Sequence, residues 1–344
     1  MTARYLTSNK GKLSCLSLPK PQMDRHEVLI DVAYSAISTG TEKTIRKETS
    51  ATSMLSKAAS KLGKVKELGV SNAMKVFQKV WNSYQPLGYS ITGRVIATGD
   101  AVVNVQVGDV VMATGAGHAI HADVVSVPMI YVCKVDTCHP RYALGGVMTI
   151  AVNAINKIQP RIADRIAIIG GGLIGELSAI AAVAAGARVT VIDIDAGVRD
   201  RLEVTGIATA ERLDHECDHI IVCTSVEPVM RDCQDYIAYN GTICITGYGD
   251  FVLDRDAVEL KQFKVVCVNS YGEFANNYFY GTVAEDRLAT QYNIPTARQA
   301  LEQSAFVVAS MAMDSYPIVK VEDVQKIDHE LANKANSTVI VDWS

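Results

Sequence analysis

No two cysteines in this chain stand in a C-x-x-C pair, although it has eight of them: 15, 133, 138, 217, 223, 233, 244 and 267. Paired-cysteine metal sites and redox motifs are therefore not expected, and scattered thiols in apolar runs such as "HIIVCTS" and "GTICITG" read as buried free cysteines in a reducing compartment. The one local cluster, Cys133, Cys138 and His139 in "CKVDTCH", matches no zinc-ligand spacing and reads as structural. No apolar run approaches the length of a membrane span; "AIAAVAAGA" is far too short. The N-terminal "MTARYLTSNKGKL" has no apolar signal core. A net charge of −4 gives no basic excess to hold a nucleic acid or an anionic membrane. The expectation is a cytoplasmic protein with no nucleic-acid or membrane partner.

What is present is a large apolar fraction, 49% of 344 residues, enough for two domains. Residues 1–131 carry short alternating runs such as "EVLIDVAYS", "SITGRVIATG" and "DVVSVPMIYV", punctuated by glycine and proline, which predict β-strands. From about Tyr142 the pattern changes. Compact apolar strands, "RIAIIG", "ARVTVIDID", "DHIIVCTS" and "GTICITGYG", are separated by helix-length segments, the layout of a parallel sheet covered on both faces. The closing "STVIVDW" predicts a strand that returns to the first domain. The expected division is residues 1–131 with 286–344, and 132–285 between them.

The β-rich part is interrupted by two expected helices between about 50 and 84. Ser71 is placed to cap the second, with Met74, Phe77, Trp81 and Tyr84 on one face. Lys57, Lys61 and Lys64 share a side of the first. They read either as a solvated face or as a lid over an anionic substrate.

The strongest chemical signal is "RIAIIGGGLIGELSAIAAVAAGARVTVIDID". A strand runs into Gly170-x-Gly172-x-x-Gly175, a helix of small apolar residues follows, and a second strand ends at Asp193. In that context the motif predicts a dinucleotide site. Gly170 allows the tight turn, Gly172 lets the backbone approach a pyrophosphate, and Gly175 lets the helix lie close to the sheet. The free N–H groups at the helix start, Leu173 and Ile174 among them, offer partial positive charge to phosphate. Asp193 accepts from the ribose hydroxyls and repels a 2′-phosphate, which favours NAD over NADP. Later strand ends, Cys223-Thr224-Ser225 and Thr246-Gly247-Tyr248, are expected to complete the cleft.

The whole chain resembles the medium-chain dehydrogenase/reductase superfamily, through this middle fold, the return strand, "GRVIATG" and Gly108-Asp109-Val110 in its G-D-x-V position. "ISTGTE", "PLGYSITGRV" and "GAGHAIHADVVSVP" look like the dehydrogenase half of bi-domain oxidoreductases from bacterial polysaccharide clusters. "ISTGTE" also looks like bacteriochlorophyllide dehydrogenases. The resemblance implies a GroES-like β-rich catalytic domain plus a Rossmann domain, with a helical insertion in the first. It also implies hydride transfer with a nicotinamide cofactor, polar or sugar-like substrates, any partner half absent or encoded separately, and homodimers paired through edge strands near "FKVVCVNSYG".

Where zinc members of that superfamily carry ligands, this chain has Ser38 or Thr39, then Gly88-Tyr89-Ser90, then roughly Gly146. The four-cysteine lobe is missing as well. A catalytic zinc needs three protein ligands. His118, His121 and Glu42 offer another set with no spacing that demands it, so a metal-free site is expected. Substrate oxygen would then be held by hydrogen-bond donors or a general acid. The candidates are Thr39, Thr41, Glu42, Tyr89 and His118, with Thr149 and Lys334 near the cofactor; for Thr149 a helix-capping role, and for Lys334 a solvated one, stay open. The expected function is NAD-dependent oxidation or reduction of a hydroxyl or carbonyl carbon. Two alternatives are reduction of an activated alkene and a non-catalytic NAD(H)-binding sensor or scaffold.

Overall fold

The structure is a computed structural model that describes residues 2–9, 12–40, 85–224, 226–246, 252–268, 297–314, 316–333 and 335–344. The expected helical insertion at 50–84, with its lysines, lies outside the described residues, as do Thr41, Glu42, Ser225, Gly247, Tyr248 and Lys334.

The chain begins with strands β1 (Thr2–Asn9), β2 (Lys12–Pro19) and β3 (Glu27–Ser38). There follow β4 (Gln85–Pro86), β5 (Ser90–Thr98), β6 (Val110–Thr114), β7 (Val124–Pro128) and β8 (Val132–Lys134). Helix α1 (Gly145–Ile158) leads into β9 (Arg165–Ile169), α2 (Leu173–Ala184), β10 (Arg188–Ile192), α3 (Ala196–Val204) and β11 (Ala208–Ala210). Then come β12 (Cys217–Val222), α4 (Glu227–Asp232), β13 (Ile237–Ile245), α5 (Arg255–Lys261) and β14 (Lys264–Cys267). The described remainder holds α6 (Ala297–Ala309), β15 (Ile318–Lys320), α7 (Val324–Ala332) and β16 (Thr338–Asp342).

Three sheets result. β2, β1 and β4 form a small antiparallel one. The main sheet of the β-rich part runs β15-β16-β3-β5-β6-β8, with β7 also paired to β3. The expected return strand is β16, which pairs antiparallel with β3 so that Thr338 faces Ser38. In this sheet the G-D-x-V element is a tight corner. Gly108 has φ +95°, and Asp109 accepts from the Gln106 amide (3.0 Å) and the Lys134 ammonium (2.6 Å). The Lys134 hydrogen bond holds the Asp109 carboxyl below its ordinary pKa.

The third sheet is parallel, in the order β11-β10-β9-β12-β13-β14. Its apolar strands are buried on both faces, as parallel sheets require. In β9, Ile166 and Ile168 pack with Ala154 and Ile158 of α1 and Ala179 of α2, while Ala167 and Ile169 pack with Ile220, Val222 and Ile243 on the other face. Each buried isoleucine or valine among them contributes about 1.5–3 kcal/mol by leaving water. Counted outward from β9, the order is 3-2-1-4-5-6, the doubly wound Rossmann arrangement, and the chain thus has the expected fold of GroES-like and Rossmann parts. Two strands differ from expectation. The three-residue β11 is too short to leave an apolar pattern, and "FKVVCV" does not follow the last parallel strand but forms it, as β14.

A fourth apolar cluster joins the two parts. It gathers Ala36 and Met112 from the first sheet, Val147, Met148 and Ala151 from α1, Leu173 and Leu177 from α2, and Leu301 and Val308 from α6. This cluster fixes where the dinucleotide turn faces the β-rich domain.

Candidate active site

In a sheet of this order the crevice opens where neighbouring connections leave in opposite directions, between β9 and β12. The glycine turn sits at that point. Gly170 ends β9 with φ +98°, and a Cβ there would stand 3.5 Å from the Cys223 carbonyl and the Thr224 Cβ at the end of β12. A Cβ at Gly175 would lie 1.8 Å from the Gly170 oxygen, so the helix can approach the turn only as glycine. At Gly172 the reverse holds: nothing lies within 4 Å of a Cβ, and the residue is exposed. Gly172 is the extended N-cap of α2 and no side chain caps the helix. The space above it and the uncapped N–H groups form a cradle that suits a phosphate.

The side chains of Leu173 and Ile174 do not face that cradle. They pack in the cluster that joins the two domains, leaving only their amides to the turn. Asp193, one residue past β10, accepts from the Gly171 amide through Oδ2 (2.7 Å) and from the Asp195 amide through Oδ1 (2.9 Å). A carboxylate has about four acceptor positions, so two remain for hydroxyl donors. Arg199 donates to the Asp193 carbonyl (2.7 Å).

The other strand ends behave as spacers. The Thr224 hydroxyl accepts from the Val226 amide (3.4 Å), and the Thr246 hydroxyl donates to the Val222 carbonyl (3.1 Å) and the Cys223 sulfur (3.2 Å). Burial pushes the Cys223 thiol up to about 11, so it is a thiol rather than a nucleophilic thiolate.

On the first-domain side, the structure brings Ser90 and Gly146, two of the three positions compared above with zinc ligands, together without a ligand set. Ser90 is buried, donates to the Ala143 carbonyl and accepts from the Gly146 amide (2.9 Å). A Cβ at Gly146 would sit 2.6 Å from the Ser90 Oγ and 2.7 Å from the Thr114 Oγ1. A hydroxyl already bonded twice and a glycine with no room for a side chain do not fit the thiolate, imidazole and carboxylate chemistry of a zinc site. Among the described residues, no three His, Cys, Asp or Glu side chains are grouped to hold one ion.

Thr39 donates to the Ser337 carbonyl (3.0 Å), and Thr149, fully buried, donates to the Gly146 carbonyl (2.6 Å) in the first turn of α1. Both hydroxyl protons are thus committed to backbone, and each oxygen keeps acceptor capacity only. Tyr89 is half-buried beside the joining cluster. His118 is half-buried with its ring 6.2 Å from that of Tyr131. His121 is a core residue, 1% exposed, whose ring lies 2.7 Å from where a Gly88 Cβ would be. His139 caps a 3₁₀ turn by accepting from the Arg141 amide (3.3 Å), and the "CKVDTCH" cluster supplies no common centre.

Four residues that the sequence reading passed over meet at the turn. Glu176, 1% exposed in the first turn of α2, accepts from Arg201 of α3, from the Tyr316 hydroxyl (2.7 Å) and from the Ser337 hydroxyl (2.7 Å). Arg201 also donates to the Gly171 carbonyl (2.8 Å). The signal was there: Glu176 is the only charge in "GLIGELSAIAAVAAGA".

No protein-family model and no curated sequence matches the chain. Solved structures do, end to end. The 2R,3R-butanediol dehydrogenase of Bacillus subtilis superposes with TM-score 0.72 at 15% identity, over 99% of this chain and 100% of that one. A protein of Sinorhizobium meliloti 1021, assigned as a zinc-binding dehydrogenase and bound to NADP, gives 0.69 at 15% identity, with both chains covered in full. The quinone oxidoreductase of Coxiella burnetii gives 0.65 at 16%, again over the whole of both chains. The likeness shows the two-domain fold of medium-chain dehydrogenases and reductases.

Proposed function

We propose that the chain is an NAD-dependent oxidoreductase that moves a hydride to or from a hydroxyl or carbonyl carbon of a polar, sugar-like small molecule without a catalytic zinc. One observation carries this reading: the open cradle at Gly172, at the switch point of the sheet, with Asp193 beside it. When bound, the nicotinamide supplies the hydride acceptor or donor.

The chain's residues bind and orient around it. Amides at the start of α2 meet the pyrophosphate, and the two free acceptor positions of Asp193 take the ribose hydroxyls. The carboxylate disfavours a 2′-phosphate by charge, which supports NAD over NADP. On the substrate side, the Tyr89 phenol and the His118 imidazole are the donors, and the Thr39 oxygen accepts from a substrate hydroxyl. An imidazole can take up or deliver the proton that leaves or joins the substrate oxygen. Thr41 and Glu42 belong to the same proposed rim, with Ser225, Gly247 and Lys334 on the cofactor side. The diol specificity named for the Bacillus neighbour supports a polyhydroxyl substrate.

Reduction of an activated alkene is the second reading, supported by the quinone oxidoreductase neighbour. Hydride transfer assayed against panels of polyols, aldoses, quinones and enones separates the two; turnover of enones or quinones alone would sink the first. Metal analysis of the active protein checks the zinc-free part, and stoichiometric zinc would contradict it. We also infer a homodimer, because β14 ends the parallel sheet on one side with an open edge among the described residues, and open edges pair or aggregate. A clean monomer in gel filtration would overturn that.

A further inference from the structure

We propose that Glu176 is a positioning residue for the dinucleotide turn, acting through Arg201 on the Gly171 peptide, so that cofactor affinity depends on a carboxylate that need not touch the cofactor. The proposal rests on the reading of the turn as an NAD site.

Gly171 is held at both backbone ends, through the two consecutive peptide units that it joins. Its amide donates to Asp193 (2.7 Å), and its carbonyl accepts from Arg201 (2.8 Å). A Cβ there would strike Val198 (2.6 Å) and Leu202 (2.9 Å) on α3. The Gly171 carbonyl and the Gly172 amide share one peptide plane, so the hold on that carbonyl sets the direction of the Gly172 N–H. Arg201 is fixed in turn by Glu176, through a charge-assisted bond with side chains 11% and 1% exposed. A guanidinium can hold two acceptors in one plane, and a lysine in its place cannot.

A carboxylate in the first turn of a helix is favoured by the helix dipole, but beside a pyrophosphate site its charge is unfavourable unless compensated. Arg201 supplies the compensation. The remaining acceptor capacity of Glu176 anchors it to the other domain. Ser337 donates to Oε2 and Tyr316 to Oε1, both at 2.7 Å. Ser337 directly precedes β16 and its carbonyl receives the Thr39 hydroxyl. Thr39, Ser337, Glu176, Arg201, Gly171 and Asp193 thus form one unbroken hydrogen-bonded line from the substrate rim to the ribose acceptor. Burial and the neighbouring carboxylate raise the Tyr316 hydroxyl pKa, which keeps it a donor.

The test is NADH binding, followed by fluorescence, together with the melting temperature, for Arg201→Lys, Glu176→Gln, their double variant and Ser337→Ala. Ile221→Val, fully buried in the parallel sheet and itself no member of the line, calibrates what lost stability alone does. The expected result is about a tenfold weaker NADH affinity for Arg201→Lys and Glu176→Gln. The double variant is expected to be no weaker than the worse single one, because both act on the same carbonyl. Ile221→Val is expected to leave affinity within about twofold at a similar loss of melting temperature. If Glu176→Gln does not fold, Arg201→Lys and Ser337→Ala keep the carboxylate and carry the test. Affinity unchanged in every folded variant, or falling only in step with melting temperature as in Ile221→Val, overturns the proposal. Absence of NADH binding by the wild-type chain would show before any variant, and would remove the functional reading itself.

Discussion

The dinucleotide turn and the first-domain rim are both built at strand ends, yet they use glycine in opposite ways. At the turn, Gly175 is forced by a backbone oxygen 1.8 Å from its missing Cβ, while Gly172 stands free with space above it. The packing that requires one glycine creates the opening at the other. At the rim, Gly146 is also forced, but by the side chains of Ser90 and Thr114, and no opening results. One cluster of small residues makes a cradle; the other is filled by the Ser90 and Thr114 hydroxyls. A glycine is therefore informative only together with what its missing Cβ would meet.

The sharpest way to break this comparison is to add the methyl groups back. Gly175→Ala must displace backbone, so it is expected to destabilise by about 1–3 kcal/mol or more. It should also weaken NADH binding about a hundredfold. Gly172→Ala should leave stability within about 0.5 kcal/mol, because its Cβ meets nothing, yet weaken NADH by about tenfold. Melting and fluorescence titration on the same samples read both. Equal effects from the two substitutions would erase the distinction between a packing glycine and a cradle glycine.

Gly146→Ala comes next. The Ser90 oxygen it meets is held by two hydrogen bonds and cannot swing aside without losing them. A loss of about 1–3 kcal/mol in urea unfolding is expected. Gly40→Ala, at the end of the rim strand with open space around its Cβ, should cost less than about 0.5 kcal/mol.

A pH series sharpens the comparison at the sheet. Burial raises the thiols of Cys217 and Cys223 from 9.0 to about 11, and that of Cys233 to about 12. The folded state then keeps protons that the unfolded chain releases. Stability from these groups is complete below pH 9 and is lost as pH rises toward 11 and beyond. Urea midpoints should fall between about pH 8 and about pH 10, and Cys223→Ala should flatten the fall.

A modest effect is expected at the Thr39 hydroxyl. Thr39→Val removes one hydrogen bond to the Ser337 carbonyl, worth about 0.5–1.5 kcal/mol, and should raise substrate KM while NADH affinity holds.

The same contrast explains what could be read from sequence. The parallel sheet was legible because strands buried on both faces must be apolar, as "IAII" is after the exposed Arg165. The turn at Gly170 and the close packing at Gly175 were legible because a positive φ and a backbone oxygen 1.8 Å from a missing Cβ both demand glycine, which leaves a spaced pattern. Strand β11 was not, since three residues carry no period, and β14 was placed beyond the sheet it belongs to. The rim hydroxyls were visible as residue types, but their hydrogen bonds to Ser337 and Gly146 carbonyls join positions far apart in the chain or within one helical turn. The Glu176 line stayed hidden for that reason. It joins the first turn of α2 to residues 140 and 161 positions away.

The most direct test of the account is a titration of the wild-type chain with NADH and with NADPH at one ionic strength. The open cradle at Gly172 and the carboxylate of Asp193 predict saturable binding of NADH at least about tenfold tighter than NADPH. Equal affinities, tighter NADPH, or no binding of either would contradict it.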